Sequence, residues 1–171
     1  MQTRRGLVLF VGVLAAVSLC VAQSKKAPAQ PGAAKPAHTV LKPEDLKWGP
    51  LIPGAEMAVV AGTPSKAGGM YIIRIKCKDG LKVMPHWHPT DEHITVMTGI
   101  FAMGIGDKYE AGKLHDVAPG SHAAVPKEMH HFALSKGESI IEVSGMAPFV
   151  VNWVNPADDP ANQAKAPAKK K

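Results

Sequence analysis

Three histidines and two acidic residues lie within residues 80–99, GLKVMPHWHPTDEHITVMTG. His86 and His88 are two positions apart, so on a β-strand their side chains point to the same face. If residues 89 and 90 only bend the chain, Glu92 joins that face. Imidazole and carboxylate groups are typical ligands of a divalent first-row metal, and they are costly to bury unpaired in an apolar core. The segment therefore predicts one half of a metal site.

The second half of such a site must come from another part of the chain. The only other dense histidine pair is His130-His131, in the segment PKEMHHFALS. Neighbouring residues on a strand point to opposite faces, so one of the two can join the cluster and the other cannot. Spacing alone does not choose between them.

The elements that must position these side chains have the periodicity of strands. Apolar residues alternate with polar ones, and glycine or proline interrupts the pattern about every ten residues, which favours an all-β sandwich or small barrel. The predicted strands are Glu56–Val60, Met70–Cys77, Glu92–Thr98, Phe101–Ile105, His122–Val125, His131–Ala133, Ser139–Val143 and Phe149–Val154. Turns are expected at Thr98-Gly99 and at Lys136-Gly137-Glu138, among other places.

The histidine-rich segment, residues 80–99, resembles a motif of a known family. Gly80, His86, His88, Glu92 and Gly99 match the first motif of the cupin superfamily at every prescribed residue and gap. The match extends over roughly residues 48–154, which is nearly all of the segment expected to fold.

The second cupin motif is matched in spacing but not in every residue. Gly120, Pro126 and His131 stand at the expected positions, while Glu128 replaces a glycine and Ser135 replaces an asparagine. These two departures concern the turn and the end of the strand, not the metal ligands.

The resemblance implies a single cupin jelly-roll β-barrel that binds one divalent first-row transition metal: Fe, Mn, Ni, Zn or Cu. The implied metal ligands are His86, His88, Glu92 and His131, so the resemblance selects His131 over His130. The same resemblance implies pairing into a homodimer through edge strands. His93, His115 and His122 are expected at the surface, because they lie on the other strand face or near loops.

Four protein ligands leave one or two coordination positions for water, dioxygen or a substrate oxygen. One predicted function is therefore a metal-dependent enzyme acting on a small organic molecule, most simply a dioxygenase, or else an isomerase or lyase. Glu92 is the candidate catalytic residue in that case, as a carrier of a proton. The alternative is a non-catalytic module that captures a metal or a small ligand. The family includes both classes, so the fold does not decide between them.

Residues 1–22 have the composition of a secretory signal peptide. Arg4 and Arg5 precede an apolar run, and Cys20 lies in a segment of small residues before the expected cleavage near Gln23. The run is short for a membrane span, and Leu19 is bulky for a lipid-attachment site at Cys20. The paired arginines also fit a twin-arginine signal. We expect a periplasmic or secreted protein with no membrane span after cleavage.

The basic charge of the chain lies outside its predicted barrel domain, residues 39–156. That segment has 11 basic and 12 acidic side chains, although the whole chain has a net charge of +6. The excess positive charge belongs to the signal peptide, to residues 23–38 and to residues 157–171. The Ala, Pro and Lys of the last two segments predict a disordered linker and a disordered basic tail. A nucleic-acid partner is therefore not expected. A small-molecule partner is expected instead. The strand periodicity also predicts that Cys77 is a buried thiol.

Overall fold

A computed structural model describes residues 38–163. The predicted signal peptide, and the predicted linker up to residue 37, lie outside the described residues, as do residues 164–171 of the predicted tail. Among residues 38–163, no helix is long and apolar enough to cross a membrane. The predictions for residues 1–37 and 164–171 therefore stay predictions.

The described residues form a β domain, which confirms the predicted all-β class. Every strand pairing in it is antiparallel. The strands are β1 (Gly49–Ile52), β2 (Ala55–Ala61), β3 (Met70–Cys77), β4 (Lys82–Trp87), β5 (Glu92–Ile105), β6 (His115–Val117), β7 (His122–Val125), β8 (His131–Met146) and β9 (Asn152–Trp153). Short 3₁₀ turns span Pro43–Asp45, Ala111–Lys113 and Pro156–Asp158, and a single α-helical turn spans Pro160–Gln163.

The long strands β5 and β8 pair along most of their length and close the sheet on itself. Strand order is β1-β2-β3-β8-β4-β9, and β5 pairs with β6, β7 and β8. Glu92 pairs with Gly145, whereas His131 pairs with Ile105. In a flat sheet these two pairs would be about 45 Å apart. The side chains of Glu92 and His131 are nevertheless 3.3 Å apart, so the paired strands curl into a barrel.

The inner face of the barrel is the core. Along β3, Tyr71, Ile73, Ile75 and Cys77 are buried, and the residues between them are less so. This alternation follows from the period of two in a strand. Cys77 is a free, buried cysteine, and the prediction for this thiol is confirmed.

Two segments predicted as turns lie within the long strands β5 and β8. Thr98-Gly99 interrupts the register of β5 but does not end the strand. Gly99 has φ +71°, and a Cβ atom there would lie 2.2 Å from the Glu138 carbonyl oxygen. This close approach of two strands explains the glycine better than a turn does. Likewise, residues 136–138 belong to the continuous strand β8.

Other elements differ from the predicted strands in extent. Strands β1, β4 and β6 were not predicted as separate strands, and the predicted strand over residues 149–154 is reduced to β9, residues 152–153. Pro85 within β4 and Pro148 before β9 weaken the local strand pattern, since proline donates no ladder hydrogen bond. Residues 157–163, the start of the predicted tail, are described and include the helical turn Pro160–Gln163.

Candidate metal centre

Four side chains from three places in the fold meet inside the barrel. His86 lies in β4 and His88 just after it, Glu92 is the first residue of β5, and His131 is the first residue of β8. His86 and His131 are paired across the sheet. All four side chains are buried, with at most 7% exposure. The structure thus brings together every residue that the resemblance implied as a ligand.

The three imidazoles share one hydrogen-bonding arrangement. Each Nδ1 lies at hydrogen-bond distance from a backbone carbonyl oxygen: 2.8 Å for His86 and Met84, 2.7 Å for His88 and Val150, and 3.0 Å for His131 and Met129. A carbonyl only accepts, so each Nδ1 carries the hydrogen and each neutral ring has its lone pair on Nε2. This arrangement orients metal-binding histidines in many proteins.

The facing ring nitrogens are close enough to share one ion. One ligand atom from each of His86, His88 and His131 lies within 4.8 Å of the others. Glu92 approaches this group with Oε1 3.5 Å from His88 Nε2 and Oε2 3.3 Å from His131 Nε2.

Two of these buried atoms have no hydrogen-bond partner among the described residues: His88 Nε2 and Glu92 Oε2. Buried polar atoms are rarely left unpaired in proteins, because losing water without a replacement partner is costly. Two orphaned atoms at the centre of a three-histidine cluster fit a site that a cation completes. Nitrogen and carboxylate donors of this kind suit first-row divalent metals.

Burial and mutual proximity set the protonation of the cluster. Burial, together with the neighbouring rings of His131 and His88, lowers the pKa of His86 to about 3. Burial likewise lowers the pKa of His88, although Glu92 opposes the shift. For Glu92, burial opposes ionisation, but the contact with His131 and the nearby imidazoles outweigh it and lower the pKa. Near neutral pH, His86 and His88 are therefore uncharged and Glu92 is a carboxylate, the forms in which these groups bind metals.

The cluster opens into a cavity of about 310 Å³ inside the barrel. Most of the side chains that line this cavity are aliphatic or aromatic. Phe149 stacks on His88, with ring centroids 5.4 Å apart, and Trp153 of β9 packs 5.5 Å from His86. These contacts hold the imidazoles in position and surround the site with apolar surface.

The remaining histidines lie away from the cluster. His130 is partly exposed and its Nδ1 donates to Asp107 at 2.7 Å, as expected for the neighbour of His131. His93 and His122 stack on the exposed face, with ring centroids 5.4 Å apart. His115 is also exposed. The surface positions predicted for these side chains are confirmed.

Sequence patterns did not reveal what supports the ligands. The side chain of Asp91, the acid next to Glu92, accepts a hydrogen bond from the backbone N–H of Lys127. The supporting acceptors are main-chain carbonyls, which have no sequence signature. Among the methionines near the motifs, Met103 lines the cavity, whereas Met84 and Met129 support imidazoles through their carbonyl oxygens.

Residues 159–161, which lie in the predicted tail, also line the cavity. The Asp159 side chain accepts a hydrogen bond from the Ala161 N–H at 2.8 Å, which caps the final helical turn. A charged, alanine- and proline-rich segment has no pattern that would place it over a barrel interior.

The fold is similar to those of solved cupin proteins. The polyketide cyclase RemF from Streptomyces resistomycificus is 18% identical, with a TM-score of 0.60, covering 77% of this chain and 95% of its own. KdgF from Halomonas sp. is 20% identical, with a TM-score of 0.51, covering 64% of this chain and 94% of its own. An RmlC-like cupin from Shewanella frigidimarina is 14% identical, with a TM-score of 0.52, covering 64% and 91%. At these identities the similarity establishes the fold.

No curated protein matches the chain in sequence. The sequence model of the ChrR cupin-like domain family matches residues 36–139, a segment that is more than half of the chain and holds both cupin motifs. With the curled jelly-roll sheet and the three-histidine cluster, this match confirms the resemblance. The chain belongs to the ChrR cupin-like domain family of the cupin superfamily.

Proposed function

We propose that this protein holds one divalent first-row transition metal through His86, His88, Glu92 and His131, and that it catalyses a reaction of a small organic molecule. The reaction is most simply that of a dioxygenase, or else of an isomerase or lyase. The observation that carries the proposal is the convergence of three Nε2 lone pairs and an orphaned carboxylate oxygen in a buried cavity. A bound ion of this class supplies Lewis-acid or oxygen-activating chemistry.

The protein's own groups have separate roles in this proposal. The carbonyls of Met84, Val150 and Met129 fix the imidazole orientations. The apolar walls exclude bulk water and so strengthen electrostatic interactions at the site. Glu92 is the acid–base candidate, because its Oε2 accepts no hydrogen bond among the described residues and lies at the centre of the imidazole cluster.

The metal assignment is tested by elemental analysis of protein isolated from its own compartment. We expect about one equivalent of metal per chain, and its loss in the variant His86→Ala/His88→Ala, which removes two of the three ring nitrogens. The control variant His93→Ala/His122→Ala changes an equally close but exposed pair and should retain the metal. Unchanged metal content in the first variant would contradict the assignment.

One observation favours a second candidate, a binding module without catalysis. Among the described residues that line the cavity, no other carboxylate is free beside Glu92, since Asp159 is engaged by the Ala161 N–H. The enzyme predicts oxygen uptake or product formation that a chelator abolishes and added metal restores. The binding module predicts saturable uptake of a ligand with no product.

We further propose that the protein is exported and acts in the periplasm or as a secreted protein. The supporting features are the arginine pair, the apolar run and the small residues within residues 1–22. Export in a folded state would let manganese or iron be loaded before the protein meets copper and zinc, which bind such ligands more tightly. The variant Arg4→Lys/Arg5→Lys should block export by the twin-arginine route, as measured by fractionation. Unimpaired export would indicate the ordinary secretory route.

A further inference from the structure

The cavity beside the candidate metal centre is lined mostly by apolar side chains. Its walls are built by inward-facing apolar residues of β3, β4, β5 and β8, among them Ile75, Val83, Ile94, Phe101, Met103 and Ile141. Its ionisable groups, apart from the three imidazoles, are Glu92, Asp159 and the Cys77 thiol. No lysine or arginine is among the described lining residues. Beyond the histidine and Glu92 cluster, the cavity therefore offers little that could pair with an anion or with several hydroxyl groups.

We propose that the ligand of this cavity is a compact, predominantly apolar ring compound that carries a single polar, metal-binding end. This inference rests on the proposed function and specifies its substrate class. The polar end would meet the metal and Glu92, and the ring would fill the apolar part of the barrel. A sugar acid or a dicarboxylate would instead bury further polar groups without partners, which costs binding free energy.

The size of the cavity agrees with this class. A cavity of ~150 Å³ lined by aliphatic and aromatic side chains holds one benzene molecule. This cavity, at about 310 Å³, has room for a substituted single ring or two fused rings. The charges agree with this class as well, because the described lining has two carboxylates and neither lysine nor arginine. One anionic group can be neutralised at the metal, but a second would meet no cation.

The test uses three hydroxamates that share one metal-binding head and differ in the rest of the molecule. They are acetohydroxamate, benzohydroxamate and 4-carboxybenzohydroxamate, and binding to the metal-loaded protein is measured by calorimetry. Because the head is constant, differences in Kd report on the cavity. We expect benzohydroxamate to bind at least about tenfold more tightly than acetohydroxamate, because its ring buries apolar surface. The added carboxylate should remove that gain.

Equal binding of the first two compounds, or binding of the carboxylated compound as tight as that of benzohydroxamate, would overturn the inference. A substitution in the cavity wall tests whether the tighter binding of benzohydroxamate arises there. Val83→Phe fills part of the cavity and should abolish the advantage of the ring while leaving acetohydroxamate binding within about threefold. Val59→Phe, at an exposed position of β2 that does not line the cavity, is the matched control and should change neither.

A second pair of probes separates this inference from the proposed function. In metal-free protein, 2-naphthol should bind more tightly than 6-hydroxy-2-naphthoate, as measured by calorimetry. If the protein proves to hold no metal, the proposed function fails and this pair alone decides the nature of the cavity. A preference for naphthol upholds the apolar ligand class, and equal or reversed preference refutes it.

Discussion

At the scale of single residues, the candidate site depends on the choice of imidazole tautomer. Each of His86, His88 and His131 is held by a carbonyl acceptor at Nδ1, so all three lone pairs face the same region. A neutral imidazole has one donor and one acceptor nitrogen, and the acceptor is the metal-binding one. The backbone therefore prepares the site before any ion arrives.

Glu92 should matter less for folding than for metal binding. In metal-free protein we expect Glu92→Gln to lower the free energy of unfolding slightly near neutral pH, because the lowered pKa of Glu92 means that the fold stabilises its ionised form. Metal affinity should fall by at least about tenfold, since a charged ligand is lost. Urea unfolding with and without a chelator, and competition with a chelator of known affinity, measure the two effects.

The exposed variant Glu138→Gln controls for a general effect of removing one negative charge. A loss of stability in metal-free Glu92→Gln without a loss of metal affinity would mean that Glu92 has a structural role instead.

At the scale of elements, the turn before β8 links two parts of the site. The Glu128 N–H donates to the His88 carbonyl at 2.8 Å, and Met129 accepts from the His131 ring. Glu128 has φ +64° and is the one non-glycine residue with positive φ among the described residues. This is the position at which the second cupin motif has glycine, and the structure shows why glycine suits it.

Restoring that glycine should stabilise the protein. Glu128 is exposed, and its left-handed backbone costs free energy that glycine avoids, so we expect Glu128→Gly to raise the free energy of unfolding by up to about 1 kcal/mol. Urea denaturation measures the change. Glu138→Gly, a substitution of another exposed glutamate but within strand β8, should lower it by about 0.5–1 kcal/mol. If both variants lose stability alike, the turn stores no strain.

At the scale of the whole molecule, closure of the sheet creates both the site and the enclosed space beside it. The first residues of β5 and β8 meet only because the two strands curl round the barrel as a pair. The same closure encloses Cys77, and burial raises its pKa from 9.0 to about 11. Reactivity of this thiol is therefore a probe of whether the barrel opens.

We expect iodoacetamide to modify Cys77 of the native protein at pH 8 at least about 100-fold more slowly than in urea, because the higher pKa leaves about 100-fold less thiolate. The rate should rise with pH up to about 11, the pKa of the Cys77 thiol in the folded protein. Mass spectrometry of the peptide that contains Cys77 measures the rate. Native and unfolded rates within tenfold of each other would show that the cavity is readily accessible.

Some structural features could be predicted from the residues alone because their cause is local. The period of two identifies strands such as β3, whose predicted bounds, Met70–Cys77, are those observed. The spacing of His86, His88 and Glu92 identifies half of the cluster. Bulges at Gly99 and the continuity of β8 could not be predicted, since a glycine in a bulge and a glycine in a turn have the same local pattern.

The amino-acid sequence by itself determined the β architecture, the cupin motifs and three candidate ligands, His86, His88 and Glu92, because these depend on residue type and spacing; His131 was implied only by the resemblance to cupins. Only the tertiary structure decided that His131 reaches the cluster while His130 faces Asp107, that backbone carbonyls orient the imidazoles, and that residues 159–161 line the cavity. The physical reason is that these features arise from contacts between segments far apart in the chain. Such contacts form when the sheet closes, and side-chain alternation along one strand does not encode them.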